Sequence, residues 1–284
     1  MYVIEGDLGM DLKNKKTIIS LIIGLAVFIA FIAVRADIRE SKESVQTSAV
    51  NADKKELSQF LQKKTLSEII HETSLEENKG PGATPKKVAY ITIDDGPSKY
   101  TNVLLDILKE NNVKATFFLI DKNMKKYESE VKRIKSEGSS IGFHSVTHDV
   151  KSLYKSPNAT LNEFDTCKET MKKITGHTSN LIRLPYGSKP YMPEGSYKKL
   201  VANNYLIWDW NLDTQDWKSS EDQIVSNVMY YGRGRDELVV LIHEKEQSVK
   251  ALTSIIKILK KRDYTILPIT ENENPKNYWL ENLK

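Results

Sequence analysis

A distorted, incomplete (β/α)7 barrel, with a parallel β-sheet inside and helices packed around it, is the α/β fold that residues 87–270 predict. Two observations carry the reading. From Lys87 onward, short apolar and β-branched runs alternate with longer stretches of helical period, and repeated strand-then-helix units imply a parallel sheet covered by helices. The polar residues able to do chemistry fall directly after the strands, on the one face where such barrels carry their active sites.

Before the barrel the chain changes character twice. Residues 17–34 form an apolar run of eighteen residues without a charge, preceded by Lys13, Lys15 and Lys16 and closed by Arg35. That is the lower limit for crossing a bilayer. The small-residue cleavage site of a signal peptide is poorly matched at Val34-Arg35-Ala36, so an uncleaved signal-anchor is expected, with cleavage leaving a secreted form as the alternative. Residues 1–16 then stay cytoplasmic and the C-terminal bulk lies outside the cell, on a single-pass membrane protein, because long following domains translocate largely regardless of flanking charge. Residues 35–86 are rich in Lys, Glu, Ser, Thr and Gln and end in Gly80-Pro81-Gly82-Ala83-Thr84-Pro85, which reads as a polar stalk. Leu57, Phe60, Leu61, Leu66, Ile69 and Ile70 allow a short amphipathic helix within it, packing on the domain or self-associating.

Within the barrel, strands are expected at 88–93, 115–119, 140–143, 181–183, 205–209, 237–242 and 264–268. Helices are expected at 102–111, 127–137, 161–175, 196–203, 221–231 and 247–261, two of them stopped by Gly138 and Gly176. Residues 271–284 are left as a C-terminal tail. The net charge of +4 comes from scattered lysines rather than a basic stripe with aromatics, which argues against nucleic acid and suits an anionic cell-surface polymer. The lone cysteine, Cys167, falls in a helical stretch; it supplies no disulfide framework and reads as a small buried apolar residue.

Asp94 and Asp95 follow the first strand, His144 the third, Arg183 the fourth, Asp213 and Asp216 the fifth and His243 the sixth. Two histidines four apart, His144 and His148, point the same way on one turn or tight loop and can share an ion. One aspartate completes three protein ligands, leaving a coordination position for water, and the other carboxylate remains as a base. The reading is hydrolytic. Each piece alone has an ordinary explanation: a turn for Asp-Asp-Gly-Pro, a surface pair for the histidines, an ion pair for Arg183, a packed core residue for His243. Their convergence on the strand ends favours chemistry.

Five pieces occur in order: Thr92-Ile93-Asp94-Asp95-Gly96-Pro97, His144-Ser145-Val146-Thr147-His148, Arg183-Leu184-Pro185-Tyr186, Asp213-Thr214-Gln215-Asp216-Trp217 and Leu241-Ile242-His243. In these the chain resembles the NodB-type polysaccharide deacetylases, carbohydrate esterase family 4, over about residues 87–270. The resemblance implies a NodB-like barrel with Asp94 as general base and Asp95, His144 and His148 as ligands of a divalent metal, zinc first, with cobalt, nickel or manganese as substitutes. It implies that Arg183 orients Asp94, that His243 is the general acid and that Asp216 pairs with it. By the same resemblance Trp217 and Leu241 wall the acetyl methyl, the backbone N–H of Tyr186 stabilises the oxyanion, and Ser145 braces the histidine loop. Leu184 departs from the usual Arg-Pro-Pro-Tyr pattern and is expected to loosen the loop of Tyr186; Ile93 stands where phenylalanine is usual. His177 matches no functional position.

The implied activity is removal of N-acetyl groups from N-acetylhexosamine units of a cell-envelope glycan, with peptidoglycan N-acetylglucosamine as the first substrate and a monomeric catalytic domain. Poly-N-acetylglucosamine, chitooligosaccharides and acetylxylan are the competing substrates. A non-catalytic glycan-binding surface protein of the same fold and a structural envelope protein acting through the stalk helix are the competing classes.

Overall fold

The structure is a computed structural model and describes residues 87–283. The expected cytoplasmic segment, anchor and stalk lie outside the described residues. Among the described residues no helix is long and apolar enough to cross a membrane.

The first strand, β1 (Val88–Gly96), is buried along almost its whole length, as expected of a central parallel strand covered on both faces. Then come α1 (Thr101–Glu110), β2 (Thr116–Leu119), α2 (Asp121–Lys126), α3 (Glu128–Ser136), β3 (Ser140–Phe143), α4 (Val150–Leu153), α5 (Pro157–Thr175), β4 (Leu181–Ile182) and α6 (Glu194–Ala202). The chain finishes with β5 (Leu206–Ile207), β6 (Leu212–Asp213), α7 (Glu221–Tyr231), β7 (Glu237–His243), α8 (Glu246–Lys261) and β8 (Thr265–Ile266). All pairings are parallel, in the order β5-β4-β3-β2-β1-β7-β6, with β8 beside the start of β1. Since β5 and β6 end that order without pairing, the sheet is a curled half-barrel rather than a closed one.

The expected strands and helices are present, with those expected at 205–209 and 264–268 cut to two residues each and four further differences. Strand β1 runs on to Gly96: Asp94 still pairs with Phe118 on one side and His243 on the other, and the register shifts only between Asp94 and Gly96. An eighth strand, β6, occupies a stretch that reads as loop, so Asp213 and Asp216 belong to its end and not to that of β5; two residues carry too little pattern to be seen. Helices α2 and α4 are likewise too short to show a period. Helix α5 starts four residues before the expected 161, where the Ser156 hydroxyl accepts the Ala159 N–H at 3.1 Å and Pro157 takes the first turn.

Strand alternation sorts the side chains into two cores. Ala89, Ile91 and Ile93 face the main core shared with the helices, together with Leu104, Leu119, Phe143, Val240, Ile255 and Leu259. Tyr90, Phe118, Leu181, Trp208, Val239 and Ile269 form a smaller core on the inner side of the curl. The inner row of β1 therefore reads Tyr90, Thr92, Asp94 and that of β7 reads Val239, Leu241, His243. Both rows end in a polar residue at the strand's carboxyl end. The last stretch of chain packs back onto β5 and its loop: Asp209 donates its N–H to Lys276 O at 2.8 Å, Asn277 Nδ2 donates to Ile207 O at 3.1 Å, and Trp279 stacks on Tyr197.

Candidate active site

Asp94 and His243 are register partners on β1 and β7, so alternation alone sets them side by side at the mouth of the curl. The Asp94 carboxylate is buried, and its Oδ1 accepts Arg183 Nη1 at 2.9 Å. Arg183 has no exposed surface. Its other donors reach Thr92 Oγ1 at 2.6 Å and the carbonyls of Trp208 and Asp209, both at 3.0 Å, while its guanidinium lies over the Phe118 ring. A buried charge needs this degree of satisfaction, and the planar fork can deliver it where an ammonium could not. The opposite oxygen, Asp94 Oδ2, faces His144 Nε2 at 3.8 Å.

His144 leaves β3 with its N–H on Leu119 O, and its ring Nδ1 lies 2.8 Å from Arg183 O. A carbonyl can only accept, so Nδ1 carries the proton and Nε2 presents a lone pair to the site. The chain then turns sharply. Ser145 (φ 69°) and His148 (φ 62°) are both left-handed, and the Ser145 hydroxyl accepts the His148 N–H at 2.9 Å, the brace that the motif implies. From α5, Glu163 Oε2 accepts the Val146 N–H at 2.9 Å, and Asp121 N–H binds Ser145 O at 3.1 Å. These bonds hold the two rings 5.0 Å apart. Burial, then the neighbouring His144, lowers the pKa of His148, favouring the neutral ring that a metal requires.

Asp95, His144 and His148 offer one ligand atom each within 4.8 Å of one another. Asp95 Oδ1 is 3.6 Å from Nε2 of each histidine, beyond hydrogen-bonding range, and is a buried oxygen without a hydrogen-bond partner. Ligands bonded at about 2.0–2.2 Å in a tetrahedral arrangement stand about 3.3–3.6 Å apart. Both Asp95 spacings fall in that range, and one carboxylate with two imidazoles is a donor set that suits a divalent cation. Asp95 reaches its place through a left-handed backbone (φ 71°), tolerable for aspartate and held by Asn123 Nδ2 on Asp95 O at 2.8 Å.

His243 is held from the other side. Its Nδ1 lies 2.7 Å from Asp216 Oδ1 and its own N–H donates to Asp216 Oδ2 at 2.6 Å. Asp216 is fully buried and is fixed in turn by the Ser248 hydroxyl and by Gln247 Nε2 on its carbonyl. Burial pulls the His243 pKa down, but the hydrogen bond and charge of Asp216, with the fields of Asp94 and Asp95, outweigh it and leave the group up at about 9. Asp213 stays outside this pair. Its Oδ1 accepts the Gln215 N–H at 2.7 Å and shapes the turn, with Gln215 at φ 56°, that returns Asp216 to β7.

Leu241 is buried two residues before His243, on the same face of β7, and Trp217 is 58% exposed beside Asp216. Tyr186 sits at φ 63° in a turn closed by Gly187 N–H on Leu184 O at 2.9 Å. The Leu184 side chain, at the position where the motif departs from proline, is fully buried in the main core. His177 is exposed and away from the cluster, and Cys167 is buried.

Three buttressing carboxylates escape sequence reading. Glu163 holds the histidine loop. Asp209, buried beneath Arg183, accepts the Ser188 N–H and the Tyr278 N–H, both at 2.8 Å, and takes the Ser188 hydroxyl as well, tying the Tyr186 loop to the C-terminal stretch. Glu244, next to His243, takes the hydroxyls of Ser98 at 2.6 Å and Thr101 at 2.7 Å and locks the turn after Asp95. The only local signal for them is position directly after a strand, which Asp209 and Glu244 share with the motif residues.

The family model described as polysaccharide deacetylase matches residues 81–203. A peptidoglycan-N-acetylglucosamine deacetylase of Bacillus cereus is 38% identical over 205 residues, covering 69% of this chain and 75% of the relative. Among solved structures, the polysaccharide deacetylase Bc1974 from Bacillus cereus is 39% identical with a TM-score of 0.66, over 70% of this chain and 100% of that one. The catalytic domain of a peptidoglycan N-acetylglucosamine deacetylase from Eubacterium rectale is 31% identical with a TM-score of 0.63, over 72% of this chain and 98% of that one.

Proposed function

This chain belongs to the polysaccharide deacetylase family, the NodB-type carbohydrate esterases, and is a deacetylase; on that premise we propose that it removes N-acetyl groups from N-acetylglucosamine units of peptidoglycan. The name of the Bacillus cereus relative supports the substrate, and residues 17–34 support an anchor that keeps the enzyme at the cell surface. The observation that carries the chemistry is the convergence of three metal-type ligands with two carboxylate-held groups, Asp94 with Arg183 and His243 with Asp216, at neighbouring strand ends.

Asp95, His144 and His148 would hold the divalent cation, zinc in the first instance. Bound there, it would polarise the acetyl carbonyl and acidify water in its open position. Asp94 takes the proton from the attacking water. Arg183 occupies Oδ1, so Oδ2, turned toward the histidines, is the oxygen free to act as base. The backbone N–H of Tyr186 is the donor proposed for the oxyanion, and Leu241 with Trp217 would enclose the methyl group. His243, with Nδ1 committed to Asp216, donates from Nε2 to the departing nitrogen. The C–N bond breaks with acetate and a free amine as products, because an amine leaves only once protonated.

The test separates chemistry from metal binding. Asp94→Asn is expected to cut acetate release from purified peptidoglycan about 10²–10⁴-fold while retaining the metal, and His148→Ala to lose metal and activity together. Acetate release from Asp94→Asn at the wild-type rate would overturn the mechanism. Mass spectrometry of muropeptides from cells with and without the enzyme checks the substrate, through the loss of one acetyl group per N-acetylglucosamine.

A further inference from the structure

We propose that the end of the half-barrel opposite the active site docks on anionic phospholipid headgroups of the membrane through Lys87, Arg235 and Arg262, turning the catalytic mouth away from the bilayer. The proposal goes beyond the deacetylase reading and takes from it only the anchor. Register brings the three cations together at the amino ends of neighbouring strands: Val88, directly after Lys87, pairs with Glu237 on β7 and with Thr265 on β8. Tyr264 lies among them. Its ring is 5.7 Å from Lys87 Nζ, its hydroxyl donates to the Arg235 carbonyl, and the charges of Arg262 and Arg235 both act on it. Asp94 stands toward the other end of β1, about 20 Å away at about 3.3 Å per residue, so the cluster is remote from the chemistry.

The cluster is short of acidic partners. Arg235 Nη1 is buried without a hydrogen-bond partner, Arg262 Nη2 donates to Met229 O at 2.8 Å, and among the described residues none of the three cations forms an ion pair. The nearby Glu237 is already paired with Lys276 at 2.6 Å, which leaves Asp236 and Asp263, both exposed. Burial lowers the pKa of Arg262, and the charge of Arg233 acts in the same direction. An arriving anion would ease that repulsion and meet the unpaired donor. Tyr231, 41% exposed at the end of α7, and Arg233, lying over the Tyr230 ring at 3.7 Å, set aromatic rings beside the cations, a combination suited to the headgroup region. The chain itself names the occupant. The stalk expected at 35–86 leads from the apolar run at 17–34 and reaches the domain at Lys87, inside the cluster, so the phosphates on that side are those of the lipid which the run would cross. Each Lys or Arg beside such a surface strengthens association about fivefold, and three of them orient a tethered domain rather than anchor a free one.

The experiment follows hydrogen exchange in the full-length protein in phosphatidylcholine vesicles, with or without phosphatidylglycerol. Exchange at residues 230–236 and 260–266 should slow about fivefold or more in the anionic vesicles alone, and high salt should erase the difference. Lys87→Gln combined with Arg235→Gln should lose the protection, whereas Lys87→Arg combined with Arg235→Lys, which keeps the charge, should retain it. Both pairs should release acetate from soluble oligomers at the wild-type rate. Equal exchange in the two lipids, protection that survives in the glutamine pair, or protection by soluble poly(glycerol phosphate) with none from phosphatidylglycerol would each overturn the docking. Alkaline carbonate reports on the anchor separately: extraction of a protein that showed the protection sinks the anchor alone, and resistance to extraction without protection sinks the docking alone.

Discussion

An imidazole as largely covered as that of His243 is pushed toward its neutral form, because desolvation disfavours charge. The Asp216 hydrogen bond and the field of three carboxylates reverse this and place its pKa at about 9. A cation held by Asp95 would offset that residue's share, so the loaded enzyme should lose kcat/KM on an alkaline limb at or somewhat below pH 9. The sign follows from the role. Above its pKa the ring is neutral and has no proton to give the amine. In Asp216→Asn desolvation remains while the carboxylate is gone, so the limb should move to lower pH and the rate at pH 8 should fall about 10²-fold or more. A pH–rate profile of the two enzymes checks this, and a limb that stays in place in Asp216→Asn would remove His243 as the acid.

Between elements, the turn from β1 into α1 decides where Asp95 points. Glu244 enters from the end of β7, pinned by Ser98 and Thr101, and its Oε1 is buried without a partner. Burial raises the pKa of this carboxyl, against the pull of those two hydroxyls. A Cβ added to Gly96 would lie 2.1 Å from Glu244 Oε1 and 2.6 Å from its Cδ. The Glu244 side chain could swing aside only by giving up the Ser98 and Thr101 hydroxyls that its other oxygen accepts. Gly96→Ala should therefore cost about 1–3 kcal/mol, as overpacking of a fixed site does, and weaken metal binding by displacing Asp95. Adding Glu244→Ala should recover part of the loss, and thermal unfolding of the full mutant cycle measures the coupling. Additive effects would show that the clash is not what makes glycine necessary. The same elements show what sequence can and cannot reveal. The motif residues are legible because each follows a strand within a short recognisable run. Glu244, Asp209 and Glu163 are not, because what they hold lies far along the chain, as when Asp209 reaches Tyr278, and no local period records such a pairing.

For the molecule as a whole, the half-barrel was legible because strand and helix periods alternate over long stretches, whereas β6 and the packing of the C-terminal stretch depend on contacts that form only after the sheet has curled. This divides the chain into parts with opposite expected consequences when removed. Every side chain placed in the site, and every carboxylate that buttresses it, lies between Thr92 and Glu244. A protein consisting of residues 87–284 should therefore release acetate from soluble N-acetylated oligomers at close to the full-length rate. If residues 17–34 are the anchor, it should also leave the membrane fraction in which the full-length chain sediments. Ending the chain at residue 274 should do the reverse. It would strip Asp209 of the Tyr278 N–H, Ser188 of Trp279 and Ile207 O of Asn277, and each buried polar group left unpaired costs about 1–3 kcal/mol. The Tyr186 loop would lose its backing, with a fall in both melting temperature and kcat, the latter by about tenfold or more as its donor drifts from position. Full activity in the protein ending at 274 would show that the C-terminal stretch only covers the barrel. Loss of activity on soluble oligomers in the 87–284 protein, with its melting temperature intact, would show that the first 86 residues take part in the chemistry.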